Sequence, residues 1–412
     1  MPSRVPPSKI LLVSPSGVGG VQTFCAHLAA GFKNAGHLPQ VLFENGGGPQ
    51  ESGPALPSGV PSSVLRYSPF DNLYRVLTRM AGFIESGGFD FVYANTSAVA
   101  YRALGLLGPR RPVAIGGCTG NNVHDYACNS EFADYLDHIF SVSSHGAHVL
   151  RERLSGRGVG ISVIPHGVQP ASATPPEPRS DMFQLVFAGR FATEKRIQDL
   201  LAVAHRLREM GVRFRLTLAG DGPLRHEMQK QVDHLQLTDN VKLVGFVSSA
   251  EIVQLMEASH VNLLLSEAEG FGLSVLEGMN RGCVPIVTET CGCRDAISDG
   301  VNGFVVRVGD VEAVASLVRQ VDQDRAALAS MSEDARRTVK ESFSSEKEVA
   351  RHLEVLRLAQ EHYRRHVART VPWKYEPPTL INYPWVPNWM AKNLRRLKCH
   401  FGPPLRRETT LL

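Results

Sequence analysis

Two glutamates, Glu269 and Glu277, flank the run Gly270-Phe271-Gly272-Leu273. The apolar stretch before them, Val261 to Leu265, predicts a buried strand. Leu273 to Arg281 has helical spacing, with Leu273, Leu276 and Met279 or Asn280 on adjacent turns. Gly282 stops that helix, and Cys283 to Thr288 predicts the next strand. A strand, a glycine turn and a helix in this order leave the first N–H groups of the helix pointing out of the turn, where an anion can sit. Glu269 lies in the turn and Glu277 one turn into the helix, so both can face a ligand lying across the helix start. Carboxylates in these places can equally do no more than offset the helix macrodipole.

Taken whole, the stretch resembles the signature of the retaining nucleotide-sugar glycosyltransferases of family four. Other segments carry the same resemblance. Gly19-Gly20-Val21-Gln22 is similar to the family's N-terminal loop, where a backbone can approach phosphates or a sugar. Pro165-His166-Gly167-Val168 stands where Pro-Asn-Gly-Val is common, and Gly189-Arg190 is followed five residues later by Lys195. Gly220-Asp221-Gly222-Pro223-Leu224, Gly245-Phe246-Val247 and Asp299-Gly300-Val301-Asn302-Gly303-Phe304 match further turns. The resemblance covers residues 9 to 365 and does not reach the C-terminal tail.

What the resemblance implies is an α/β chain of two Rossmann-like domains facing a cleft (the GT-B fold), with a basic C-terminal extension. It implies a metal-independent, retaining hexosyl transfer from a nucleotide-sugar, which is a substrate and not a cofactor. Glu277 is expected on the ribose hydroxyls and Glu269 on the sugar or the reacting face. The backbone N–H groups of Phe271, Gly272 and Leu273 are expected on phosphate or sugar oxygens, and Arg190 and Lys195 on the diphosphate. Two cations at a strand end can stabilise the charge growing on a leaving diphosphate without a metal. Val247 and Leu224 are placed to touch the base, or to serve as core. The sequence departs from the family twice. His124 comes several residues later than the usual histidine, so it is either near the donor sugar or a loop histidine bonded locally. Arg196 stands where a glycine is commoner.

The elements that must position these groups follow from patterning. In the first half, strands are expected at Lys9–Ser14, Val41–Glu44, Phe89–Asn95, Val113–Gly117, Ile139–Ser143 and Ile161–Ile164. A helix runs from Thr23 to Asn34, another from His145 to Leu154 capped by Ser144, and Gly46 to Ser63 reads as a mobile loop. In the second half, strands are expected at Gln184–Ala188, Arg215–Gly220 and Val241–Val244, with helices at Glu251–Ala258, Val311–Ser330 and Ser345–Arg369. The domains are set at 1–169 (acceptor side) and 181–345 (nucleotide-sugar side). Between them is a proline-rich linker, 170–180; a crossover helix, 346–370, and the tail, 371–412, follow.

Two other classes of function, a nicotinamide-dependent oxidoreductase and a non-catalytic scaffold, share parts of this pattern. Gly17, Gly19 and Glu44 fit part of a dinucleotide fingerprint, but Gln22 occupies its third glycine. A non-catalytic nucleotide-sugar-binding scaffold would keep the same residues. His145 and His148 lack the further ligands of a metal site.

Formal charge is +4, unevenly placed: from residue 371 on there are seven Lys/Arg against two acids, so the tail is +5 and the rest −1. All three tryptophans, Trp373, Trp385 and Trp389, are in the tail. Residues 385–401 place Met390, Leu394, Leu397 and Phe401 on one helical stripe with basic residues off it, suited either to an anionic membrane surface or to docking on the body. The body offers no basic face for nucleic acid. Seven scattered cysteines and the lack of a signal-peptide profile in Met1 to Lys9 predict a cytoplasmic protein, peripheral on the membrane if the tail binds it. The expected acceptor is a glycan or lipid-linked glycan.

Overall fold

The structure is a computed structural model that describes residues 6–14, 20–45, 56–68, 71–171 and 182–367. Two parallel sheets organise it. The first contains β1 (Lys9–Ser14), β2 (Leu38–Asn45), β3 (Ser62–Arg66), β4 (Phe91–Tyr93), β5 (Val113–Cys118), β6 (His138–Ser141) and β7 (Gly160–Val163), in the order β3-β2-β1-β4-β5-β6-β7. The second contains β8 (Phe183–Ala188), β9 (Phe214–Ala219), β10 (Val241–Gly245), β11 (Val261–Leu264), β12 (Val284–Thr288) and β13 (Phe304–Val306), in the order β10-β9-β8-β11-β12-β13. Every pairing is parallel.

Parallel pairing requires a crossover between strands and covers both faces of a sheet. Hence runs such as Ile10–Val13 and Val261–Leu264 are apolar or buried throughout, with no alternation. Each sheet reverses its strand order once, beside β1 and β4 in the first and β8 and β11 in the second. The strand ends at such reversals open into ligand crevices.

Helix starts are set by side-chain caps. Ser97, Asn122, Ser143 and Ser344 each accept a hydrogen bond from the first turn they precede, and Ser248 forms a full capping box with Glu251. Such a cap is worth about 1 kcal/mol. Ser143, not Ser144, caps the fifth helix, because Ser143 is extended (φ −139°, ψ 154°) and Ser144 is already helical.

Three further expectations are corrected. Gly46–Ser63 is not a loop throughout: Val60 is buried, and β3 begins at Ser62 and pairs with β2; residues 46–55 lie outside the described chain. The helix expected over Val311–Ser330 is two helices, Val311–Gln323 and Arg325–Ser342. Asp324 leaves the helical conformation (φ −118°, ψ 79°) and its side chain caps the second by accepting from Ala327 N. The first helix starts at Gly20 and the last ends at His366.

That last helix, Ser345–His366, ties the halves together. It packs on the helix Gly20–Asn34 and on β5 and β6. Gly31 permits the approach, since a Cβ there would collide with Val349. His352 is wholly buried among Phe140, Phe24 and Tyr93, with ring centroids 4.9, 5.6 and 5.7 Å away. Its neighbour Glu348 accepts from Gly167 N and faces His166 Nδ1, both at 3.0 Å. Val168 bridges to Ser344, and Asn280 of the second half holds Gln169 O and Ala171 N. Most of the expected linker, from residue 172, lies outside the described chain, as does the tail with its stripe at 385–401. Among the described residues no helix is long and apolar enough to cross a membrane.

Candidate active site

The turns that follow β8, β9, β11 and β12 gather at one edge of the second sheet. The turn after β11 carries the two glutamates. Gly272 takes φ 90° at the N-cap of the helix Leu273–Asn280, a left-handed conformation that a glycine holds without strain. Leu276 and Met279 are buried and anchor the helix, as their spacing requires. Among the described residues no protein acceptor takes the N–H groups of Phe271, Gly272 or Leu273. Those three N–H groups and the helix dipole form an electropositive mouth.

Lys195 ends a short 3-10 turn, Thr193–Lys195, after β8, and its Nζ donates to Glu269 Oε2. Both side chains are about five-sixths buried, with 16% and 17% exposure. The sequence placed one on the diphosphate and the other on the sugar; the structure brings them together as an ion pair. A second bond joins these turns, from Glu267 N to Glu194 O (2.9 Å). Arg190 is elsewhere: it is 67% exposed and bonded to Glu194 at 2.5 Å. Arg196 takes φ 47°, which explains why glycine suits that position, and its guanidinium bonds Asp199 at 2.6 Å.

Glu277 faces water, yet surrounding protein desolvates its carboxyl and raises it to about 7, with Arg281 opposing the shift. The two observations fit a carboxyl in a recess that water still enters. Val247 is half-buried against Val186, Ala188, Ala219 and Met256, so its role is at least partly core. Phe271 is buried and meets the His166 ring edge-on at 5.7 Å. Gly20 opens the helix after β1; Gly19 lies outside the described residues.

The first sheet meets this edge directly. A Cβ on Gly270 would collide with Thr119 O and lie 2.8 Å from Gly120 Cα. Ser144 N donates to Asp295 Oδ2 at 2.6 Å, and Asn121 Nδ2 reaches Thr290 O at 3.4 Å. The residue that shapes the Thr119–Gly120 turn is Asp125, whose buried carboxylate accepts from Gly120 N at 2.6 Å. Sequence reasoning passed over it for its neighbour His124, which is exposed and lies 3.7 Å from Cys128 Sγ. Its signal was the spacing Asn122-x-x-Asp125, an N-cap with an acid in the first turn. Cys291 and Cys293 also lie here, and Glu269 pairs with the backbone of Cys291. Among the described residues no cluster of His, Cys, Asp and Glu could hold a metal.

Two open parallel sheets meeting at their C-terminal edges, with an electropositive helix start in the cleft, define the GT-B class. The pattern described as "Glycosyl transferases group 1" matches residues 171–338, and "Glycosyltransferase Family 4" matches 18–172. The chain belongs to the group 1 glycosyltransferases. It is 34% identical over 143 residues to "Putative glycosyltransferase EpsD" of Bacillus subtilis, covering 35% of this chain and 37% of that one. It is 35% identical over 169 residues to "N-acetyl-alpha-D-glucosaminyl L-malate synthase" of Bacillus anthracis, covering 41% and 43%. These matches thus span less than half the length of either relative. Among solved structures, Anabaena Alr3699/HepE in complex with UDP and glucose matches with TM-score 0.70 at 19% identity, covering 85% of this chain and 99% of that one. Sucrose-phosphate synthase of Thermosynechococcus elongatus matches with TM-score 0.71 at 17% identity, covering 86% and 99%. At these identities the structural likeness is one of fold.

Proposed function

We propose that the protein is a retaining glycosyltransferase that moves a sugar from a nucleotide-sugar to a glycan or lipid-linked glycan. The observation that carries this reading is the convergence of the Lys195–Glu269 pair, the open helix start at Phe271–Leu273 and the recessed Glu277 on the edge that faces the first sheet. The helix start and Lys195 take the diphosphate, and Glu277 takes the ribose hydroxyls. Glu269 holds Lys195 in place and turns toward the sugar. Arg190 joins the diphosphate by leaving Glu194, an exposed pair worth about 1 kcal/mol or less.

In the reaction the bond from the anomeric carbon to the diphosphate oxygen breaks. The acceptor hydroxyl takes that carbon, and its proton leaves with the diphosphate. No side chain is assigned as a covalent nucleophile; stabilising the leaving group and positioning the acceptor supply most of the rate. Lys195 and the helix dipole provide the positive charge that a metal would otherwise bring, so the reaction needs none. We place the enzyme in the cytoplasm, with its basic tail on an anionic membrane.

The test is incubation with UDP-, GDP- and ADP-sugars, following diphosphate release and the anomeric configuration of the product by NMR, with and without EDTA. The expected result is turnover with one nucleotide class, retained configuration and no loss in EDTA. Inverted product would overturn the retaining assignment. Donor binding without any turnover would favour the scaffold reading.

A further inference from the structure

A buried ring, His166, lies between the helix that follows β1 and the turn that follows β11. It stands just after β7, on the segment by which the chain leaves the first sheet. On one side it meets Phe271 edge-on at 5.7 Å. On the other its centroid is 5.2 Å from that of Phe24, with the rings tilted by 59°. Aromatic rings attract in such tilted and edge-on contacts at about 4.5–7 Å. Phe271 belongs to the turn of the second half, and its N–H is one of the three at the open helix start. Phe24 lies one turn into the helix Gly20–Asn34 of the first half.

The ring is held by the carboxylate of Glu348, on the last helix. One oxygen faces His166 Nδ1 and the other accepts from Gly167 N, both at 3.0 Å. Burial would raise this carboxyl, but its bond to His166, the charge of that ring and the Gly167 N–H hold it below the usual carboxylate range. An ionised carboxylate only accepts, so Nδ1 carries the hydrogen. The residue is thus gripped at its ring and at the next backbone N–H. The backbone that follows is tied down as well. Val168 N donates to Phe343 O, Ser345 N donates to Val168 O, and a Cβ on Gly167 would lie 2.5 Å from Ser344 O. Phe343 in turn lies 6.2 Å from Phe271. His166 and Phe343 therefore form a socket for Phe271 that is fastened to the start of the crossing helix.

The helix Leu273–Asn280 does not need this socket in order to form, because Leu276 and Met279 anchor it to its own sheet. What the socket fixes is where the helix start stands relative to the first half. A side chain that only satisfied Glu348 need not be a histidine. An asparagine amide occupies the place of Nδ1 and could donate the same bond, but it has no ring to fill the space between Phe271 and Phe24.

We propose that His166 is a positioning residue: gripped by Glu348, it fixes the spacing of Phe271 and Phe24 and so sets the open helix start against the half that holds the acceptor. This rests on the glycosyl-transfer reading above. The experiment measures kcat, donor affinity and thermal midpoint for His166→Asn, Phe271→Leu and the double variant. His166→Asn keeps a hydrogen-bond donor for Glu348 and loses both ring contacts. Because about 1 Å of misplacement can cost on the order of 100-fold, its kcat should fall about 10- to 100-fold, with donor affinity within about threefold of wild type. Phe271→Leu should show the same split. The double variant should lose no more than about twofold beyond the larger single loss, since both changes act through one contact. If His166→Asn does not fold, Phe24→Leu removes the contact on the other side of the ring and takes its place in both measurements. The proposal is overturned if the midpoint falls while kcat stays within about twofold of wild type, which is the mark of a purely structural ring. It is equally overturned if donor affinity falls as far as kcat, or if the two single losses multiply in the double variant. Absence of turnover by wild type with every donor would instead overturn the transfer reading on which the proposal stands.

Discussion

Lys195 and Glu269 neutralise each other before any donor arrives, and that pairing governs what each can do. A bare lysine facing a helix start would be repelled by the dipole; Glu269 makes the position tenable and aims the ammonium. In the proposed reaction a diphosphate gives Lys195 a second anionic partner, whose contribution grows as charge moves onto the leaving oxygen. Lys195→Ala should therefore lower kcat by about 30- to 1,000-fold, or about 2–4 kcal/mol, with a smaller effect on donor affinity. Steady-state kinetics on the purified variant would check this; unchanged turnover would remove Lys195 from the diphosphate. The glutamates and Lys195 were legible in the sequence because the strand-turn-helix stretches that carry them resemble the family's motifs, with Glu269 and Lys195 in turns and Glu277 in the helix that follows. Their ion pair was not legible, since residues 74 apart meet only through the order of β8 and β11.

Among elements, the turn after β11 is constrained from both sides. Gly272 must be left-handed to start the helix, and Gly270 must lack a side chain because the Thr119–Gly120 turn lies against it. Gly270→Ala should force the two faces apart while leaving the helix Leu273–Asn280 intact. Since a misplacement of about 1 Å can cost on the order of 100-fold, turnover should fall by about 10- to 100-fold with donor affinity within about threefold. Kinetics paired with donor titration would separate the two effects, and equal losses in both would contradict the wedge. Sequence reading located this turn but gave no reason for its glycines. The steric reason at Gly270 belongs to the other half of the molecule. Likewise the break at Asp324 was hidden because both helices continue one apolar periodicity, and β3, which begins at Ser62, two residues after the buried Val60, was hidden in a loop-like composition.

At the scale of the whole molecule, the helix Ser345–His366 returns from the second half to close on the first, and it does so through buried titratable groups. Burial holds His352 neutral, with its pKa lowered to about 4 from 6.5. The unfolded chain takes up a proton near pH 6.5 and the folded one only near 4, so stability is lost as pH falls between those values. From pH 7 to 5 this amounts to about 2 kcal/mol, and His352→Phe should remove most of that slope in urea midpoints measured at the two pH values. A wild-type slope retained in full would contradict the assignment. The resemblance gave the two-sheet plan and foretold this crossing helix, but which residues it would bury could not be read without the partner surface.

The central claim is that the second sheet's edge holds a nucleotide-sugar through Glu277 and the helix start. It is tested most directly by titrating intact UDP-, GDP- and ADP-sugars into the protein and into Glu277→Ala, at pH 6 and pH 8. One donor class should bind with one-to-one stoichiometry and lose about 10- to 150-fold in Glu277→Ala, as expected for a hydrogen bond to a charged group. Wild-type affinity should rise from pH 6 to 8, because Glu277 ionises near 7 and its charged form is the better acceptor for ribose hydroxyls, and the variant should lose that dependence. Binding of a donor that is indifferent to Glu277 at both pH values, or no binding of any donor, would contradict the account.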